Sequence, residues 1–411
     1  MLSVQHDERD DGGIPSARHA LAAMGRYAAH CGWERITRHQ AVVESDVPGG
    51  PAAVTRDWLT AVLCGPEPGG GCVLDFDWVG GSVGTSSRRA LRVSYDSSAR
   101  ERGCPERLFA KFTAELRSRL VIGLSGELPG EPTFYNAVRP NIDLRAPLGF
   151  HGGFDMKSGR SVVLLEDIAH SQSASFCSPT TPLTKVQARS LVSTLAALHG
   201  QMWAKPATDR RLRHLDSPHM RIRKGAVLLD ARKRSLVGVD RAAEELPGAF
   251  LDNRDQMWDA LIRSLKLCQQ GPQTFLHGDA HLGNFYLTSA GSEVGACDWQ
   301  ASTTGHWSFD VGYALTCALP VQDRRNWEEE LINHYLHVLG GYIPDVPSFD
   351  EAWLAYRQQP FWGLHAWLIT LGRSAVMPQM QPDEVSRAEL VRVSNAIVDL
   401  DSLNALDNIS L

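Results

Sequence analysis

The apolar positions change their spacing twice along the chain. In "ARHALAAMGRYAAHCGW" (residues 17–33) and "VTRDWLTAVL" (54–63), rich in Ala and Leu, they predict two helices, parted by the breaker stretch "VPGGPAA". The pattern then becomes strict alternation. Leu74, Phe76 and Trp78 share one face of "VLDFDWV", and Leu91, Val93 and Tyr95 share one face of "RALRVSY". In "RLFAKF", Leu108, Ala110 and Phe112 lie opposite Phe109 and Lys111. A fourth strand is expected at "SVVLLED", a continuous apolar run ended by acids. From about residue 180 helical spacing returns. Leu191, Leu195, Leu198 and Met202 form a stripe, preceded by a capping box of Thr184 and Gln187. "NWEEELINHYLHVL" and "SRAELVRVSNAIVDLDSLNAL" add further helices. The expected architecture is α+β, with a disordered tail (1–14), a helical extension (15–69), a small strand-rich lobe (70–170) and a larger, mostly helical lobe (171–411).

Composition narrows the classes. A net charge of -6, with only short basic clusters at Arg210–Arg213 and Arg221–Lys224, argues against a nucleic-acid partner. No window of about 18 apolar residues offers a membrane span, and "MLSVQHDERDDGG" lacks the basic start and apolar run of a secretion signal. The eight cysteines show no C-x-x-C spacing, which fits reduced thiols and a cytoplasmic location.

The chemistry gathers in "FLHGDAHLGNFYL" (275–287), where polar side chains sit between apolar runs and each needs a partner or a ligand once out of water. Three readings compete. His277, Asp279 and His281 alternate as zinc ligands could in a metallohydrolase, but no second histidine cluster completes the set. "GGSVG" fits a serine nucleophile elbow at Ser82, yet a strand pattern rather than a helix follows it. A phosphotransferase uses both segments. Gly80, Gly81, Ser82 and Gly84 would let backbone N–H groups approach phosphates, Lys111 would supply a cation, Asp279 would orient a hydroxyl, and Asn284 and Asp298 would offer hard oxygen ligands.

"HGDAHLGN" resembles the H-G-D-x-H-x-x-N catalytic loop of the aminoglycoside phosphotransferase and choline kinase group in the protein-kinase-like superfamily, and "CDWQ" resembles that group's metal-binding acid. "GHWSFDVGYAL" and "LAALHGQMW" look like the branch holding ecdysteroid kinase-like proteins and their bacterial relatives. The resemblance runs from about residue 70 to the C-terminus. It implies a bilobal protein-kinase-like fold and an enzyme that moves the γ-phosphate of ATP, with Mg²⁺, to a hydroxyl of a small molecule.

By residue, the resemblance implies that Asp279 is catalytic, that Asn284 and Asp298 hold the metal, and that Lys111 meets the nucleotide phosphates. Glu131, in "GEPTFYNAVRP", would pair with Lys111, although Pro129 and Pro132 allow a helix there only at its start. Glu166, Asp167 and Ile168 match the linker whose backbone holds an adenine. His277 and His281 would fix the loop, and Asp310 would brace it from a following helix. An antibiotic-inactivating phosphotransferase stands as the nearest alternative, and a non-catalytic nucleotide-binding protein as one from another class. Most of Trp299, Trp307, Trp327, Trp353, Trp362 and Trp367 are expected in the core; if some line a cleft, an apolar hydroxylated acceptor is favoured over a sugar polycation.

Overall fold

The computed structural model describes residues 17–65, 69–83, 86–374, 377 and 379–407. Its smaller lobe is a five-stranded antiparallel sheet in the order β1–β2–β3–β5–β4, formed by β1 (Val73–Val83), β2 (Ser87–Tyr95), β3 (Arg107–Phe112), β4 (Gly149–Asp155) and β5 (Arg160–Glu166). The alternation in β2 and β3 sends Leu91, Val93, Tyr95, Leu108, Ala110 and Phe112 to one buried core, where they meet Trp58 and Leu59 of the helix Arg56–Cys64.

β1 departs from the expected alternation. Its register against β2 slips between Val73 and Asp75, and the bulge turns Leu74 outward to 50% exposure. Phe76 and Trp78 keep their inward face, and Trp78 meets Phe112 edge-on at 5.7 Å. A second slip falls between Val79 and Ser82, where Gly80 and Gly81 take positive φ. The glycine-rich segment is therefore the end of a strand more than a loop, and Ser82 pairs with Arg88 across the hairpin instead of topping a nucleophile elbow. Gly84 and the tail 1–14 lie outside the described residues.

The helix Ala17–Thr37 is tied to this lobe through a buried guanidinium. Arg119, on the helix Leu116–Ser125, grips both oxygens of Glu34 (2.8 and 2.6 Å) and donates to the carbonyls of Thr113, Ser158 and Gly49. Such a fork is fully used, which is what makes a charge tolerable at zero exposure.

In the larger lobe, the helix Lys185–Gln201 begins with the expected capping box at Thr184, a device that stabilises a helix start by about 1 kcal/mol. Its Leu191, Leu195 and Leu198 are buried, as is Met202 just past its end. The helix Ser308–Ala318 is buried on every side, as its largely apolar sequence requires of a central helix, and its polar Ser308, Asp310 and Thr316 are buried with it. Two apolar cores result. The larger joins Leu191, Phe275, Trp299, Trp307 and Tyr335 with Phe134, Tyr135 and Val138 from the segment after Glu131. The second joins Phe309, Tyr313, Phe361, Trp367 and Leu390.

The tryptophans that were candidates for a cleft are core side chains. Trp299, Trp307 and Trp367 are buried, and Trp327, Trp353 and Trp362 pack half-buried against the two cores, so they say nothing about the acceptor. Among the described residues, no helix is long and apolar enough to cross a membrane.

Short strands place the polar motif. β6 (Ser175–Phe176), β8 (Phe285–Leu287) and β9 (Val294–Ala296) form one small sheet, while β7 (Thr274–Leu276) pairs with β10 (Thr303–Gly305) in another. Residues 277–284 thus run between two separate sheets, anchored at both ends.

Candidate active site

The motif begins on a cradle made by one buried carboxylate. Asp310, in the first turn of the helix Ser308–Ala318, accepts the backbone N–H of His277 at 2.6 Å and that of Gly278 at 3.0 Å, and its Oδ2 lies 3.2 Å from His199 Nε2. His199 in turn meets the Tyr335 hydroxyl at 2.8 Å. Gly278 has a left-handed backbone (φ +83) and is pressed against the Ala301 carbonyl, so only a residue without a Cβ fits.

Both histidines are occupied in holding the loop. His277 Nε2 is 2.9 Å from the Cys297 carbonyl, and its Nδ1 accepts the Asp279 N–H at 3.3 Å. His281 Nδ1 accepts the Gly283 N–H at 3.0 Å, which leaves Nε2 3.5 Å from Asp279 Oδ2. Among the described residues, no three His, Cys, Asp or Glu side chains converge as a metal cage. The zinc reading fails because the imidazole nitrogens of His277 are spent on the backbone.

Asp279 is the open member of the group, with its side chain 38% exposed against 11% for His281. Asn284 donates Nδ2 to both its carbonyl (2.8 Å) and its Oδ2 (3.0 Å), so the short turn closes on itself. Burial pushes the Asp279 carboxyl up, but His281 and His277 outweigh it and hold it below the usual range; the reciprocal pull of Asp279 raises His281 against its own burial. The Cys297 N–H bonds the Asn284 carbonyl at 2.9 Å, which sets Asn284 beside Asp298.

Asp298 is the junction between the lobes. It has a left-handed backbone (φ 59), and its side chain carries two cations. Lys111 Nζ reaches Oδ1 at 2.8 Å, and Arg88 Nη2 reaches Oδ2 at 3.1 Å. Lys111 also binds Glu131 Oε2 at 2.7 Å, so the pairing expected between them is present, with both side chains 7% exposed. Glu131 stands in the first turn of a one-turn helix, Gly130–Thr133, as its flanking prolines require. Gly130 abuts the Gln300 carbonyl, and Phe134 stacks on Trp299 at 3.7 Å and 9°.

The electrostatics follow from this packing. Burial raises the Asp298 carboxyl, but Lys111 and Arg88 together bring it far below the carboxylate range. Burial disfavours the Lys111 charge, and Asp298 and Glu131 more than restore it. Glu131 itself is raised by burial, only partly offset by Lys111, and its Oε1 is buried without a partner among the described residues.

The linker residues do a different job from their neighbours. The Glu166 carboxylate accepts from the Leu148 N–H (3.1 Å), Ser171 (2.6 Å) and Gln172 (3.0 Å), and Asp167 precedes the short helix Ile168–Ser171, with Ile168 buried. Sequence reasoning missed Arg88 and His199. It also missed two charged side chains near Asp279: half-buried Glu127, which accepts from Gln300 at 3.1 Å, and buried Arg221, which donates to the carbonyls of Ala301 and Ser302. "LAALHGQMW" contains His199 and "CDWQ" contains Gln300, the partner of Glu127, but no spacing rule assigns either its contact.

Comparison with known proteins bears on this arrangement. The curated proteins contain no significant match. In fold the chain is similar to choline kinase LicA from Streptococcus pneumoniae, at 14% identity and TM-score 0.46 over 84% of this chain and 97% of that one. It is also similar to a microcompartment-associated aminopropanol kinase, at 14% identity and TM-score 0.46 over 82% and 94%. A third likeness is to the amicoumacin kinase hAmiN, at 14% identity and TM-score 0.41 over 83% and 91%. The family profile described as "APH: Phosphotransferase enzyme family" matches residues 117–354, more than half of the sequence, including the whole Asp279–Asp310 site. The chain belongs to the phosphotransferase enzyme family.

Proposed function

We propose that the protein transfers the γ-phosphate of ATP to a hydroxyl of a small molecule, assisted by Mg²⁺. The observation that carries this reading is the Lys111–Asp298–Glu131 ion triad lying beside the Asp279–Asn284 pair. The donor atoms available there suit a hard divalent cation, since Asp298, Asn284 and Asp279 offer carboxylate and amide oxygens and both histidines are otherwise engaged. Bound Mg²⁺ would neutralise phosphate charge, and Asn284 and Asp298 are the residues that would hold it.

The chain's own residues account for the rest. Asp279, ionised and open to solvent, accepts a hydrogen bond from the acceptor hydroxyl and aims it; its lowered carboxyl keeps it an acceptor at neutral pH. Lys111 is fixed by Glu131 so that its ammonium faces the phosphates without rotameric freedom. Asp310 keeps the loop carrying Asp279 in register through two backbone bonds. Glu166–Ile168, at the end of β5, would present backbone groups to the adenine, and the end of β1 at Gly80, Gly81 and Ser82 would lie over the phosphates. Free cysteines throughout fit a reducing compartment such as the cytoplasm.

The test is ATP turnover over a panel of hydroxylated metabolites for wild type and Asp279→Asn. Loss of a positioned base lowers turnover by about 10²- to 10⁴-fold, while nucleotide binding, read as a rise in melting temperature with ATP and Mg²⁺, stays. An unchanged rate in the variant, or stabilisation by zinc with indifference to nucleotide, would overturn the assignment.

A further inference from the structure

Arg88 and Lys111 stand directly opposite each other in the β2–β3 register. Like charges in that position repel, and what makes the pair tolerable is the single carboxylate between them: Lys111 takes Oδ1 of Asp298 and Arg88 takes Oδ2. Both carboxylate oxygens are thereby in use. A divalent cation that approaches Asp298 meets two positive charges already seated there, and withdrawal of one relieves that repulsion.

The two are not equally free to go. Lys111 is 7% exposed and held by Glu131 as well. Arg88 is 38% exposed, and its other polar contact is a long 3.5 Å approach to Ser86 Oγ. The guanidinium is the group that leaves, and its stem is rooted in β2, across the hairpin from Ser82. It therefore swings within reach of whatever anion lies under that hairpin.

We propose that Arg88 is a second clamp on the nucleotide phosphates, resting on Asp298 while the cleft is free and exchanged onto phosphate oxygens when a divalent cation takes the carboxylate. This rests on the phosphotransferase reading of the site. The exchange conserves charge pairing: Asp298 trades a guanidinium for a metal ion, and Arg88 trades a carboxylate for phosphate, whose geometry its planar fork fits. Metal ion and nucleotide then favour each other's binding, because either alone leaves a charge without its counterpart.

The test compares wild type, Arg88→Ala and Arg88→Lys in two binding measurements: Mn²⁺ alone, by electron paramagnetic resonance of the free ion, and AMP-PNP with saturating Mg²⁺, by titration calorimetry. A charge-assisted contact of this kind is worth about tenfold or more in affinity. Arg88→Ala should bind AMP-PNP about tenfold more weakly and Mn²⁺ alone more tightly, with Arg88→Lys between the two. The opposite signs are the signature, since a residue that merely supported the fold would weaken both. Loss of both affinities together, or AMP-PNP affinity within about twofold of wild type, overturns the role of Arg88 while leaving the site reading intact. Failure of the wild type to bind AMP-PNP at all overturns both.

Discussion

Replacing Asp310 with alanine removes the shared acceptor of three donors at a position with no solvent exposure: the N–H groups of His277 (2.6 Å) and Gly278 (3.0 Å), and His199 Nε2 (3.2 Å). A buried donor left without a partner costs about 1–3 kcal/mol. The two backbone groups alone therefore put the loss at about 2–6 kcal/mol, a large part of the ~5–15 kcal/mol that separates folded from unfolded chains. Asp310→Asn keeps the volume and one acceptor oxygen, so one N–H stays satisfied while the new amide faces the other. It should lose about half as much. Guanidinium unfolding followed by tryptophan fluorescence reads both variants, in parallel with turnover. Turnover should fall further than the unfolded fraction explains, because the released backbone is the one that carries Asp279. The cradle argument is refuted if Asp310→Ala unfolds within about 1 kcal/mol of wild type, or if the asparagine variant is the less stable of the two.

Two further outcomes follow from the same packing. Gly278→Ala should destabilise the loop and depress turnover together, since its Cβ would meet the Ala301 carbonyl at a left-handed φ of +83; a variant with wild-type melting temperature and rate would show that the strand end can yield. Glu389, buried on the helix Asp383–Asp399 and 2.8 Å from Arg392, has its carboxyl pushed up to about 8, burial outweighing the pull of Arg392 and His281. Because the folded value lies above the ordinary 4.5, this group's contribution to stability is complete below that value and is lost as pH rises through about 8. The melting temperature of Glu389→Gln should fall less than that of wild type over that interval, and a parallel decline in the two proteins would count against the assignment.

How far such features can be read from sequence depends on whether they are local. His277, Asp279, His281 and Asn284 lie within eight positions, and a tight turn between two strands leaves few ways to arrange them, so their spacing carries their geometry. Asp298 and Lys111 are recognisable by the short patterns around them. Their convergence with Arg88 is not, because it needs a hairpin register set by the slip between Val79 and Ser82 and a backbone approach at Gly130. Alternation failed at Leu74 for a related reason: a bulge adds one residue and reverses the face, and nothing in "VLDFDWV" marks it. The tryptophans fall in the core, as expected of most of them, and leave the acceptor unnamed because an aromatic count does not distinguish a lined cleft from a filled core.

The joint at Asp298 also bears on how the lobes can move. Glu131 and Asp298 belong to one mechanical piece, since Phe134 stacks on Trp299 and Gly130 abuts Gln300. Lys111 and Arg88 stand on paired strands of the sheet, whose inner face has a core of its own. Beside the apolar core that Val163 and Leu165 of the sheet share with Phe134 and Tyr135, three charged contacts of 2.7 to 3.1 Å join the pieces, and an outward turn of about an ångström would break them. A ligand that carries charge into the cleft therefore acts on the contacts that join its two sides.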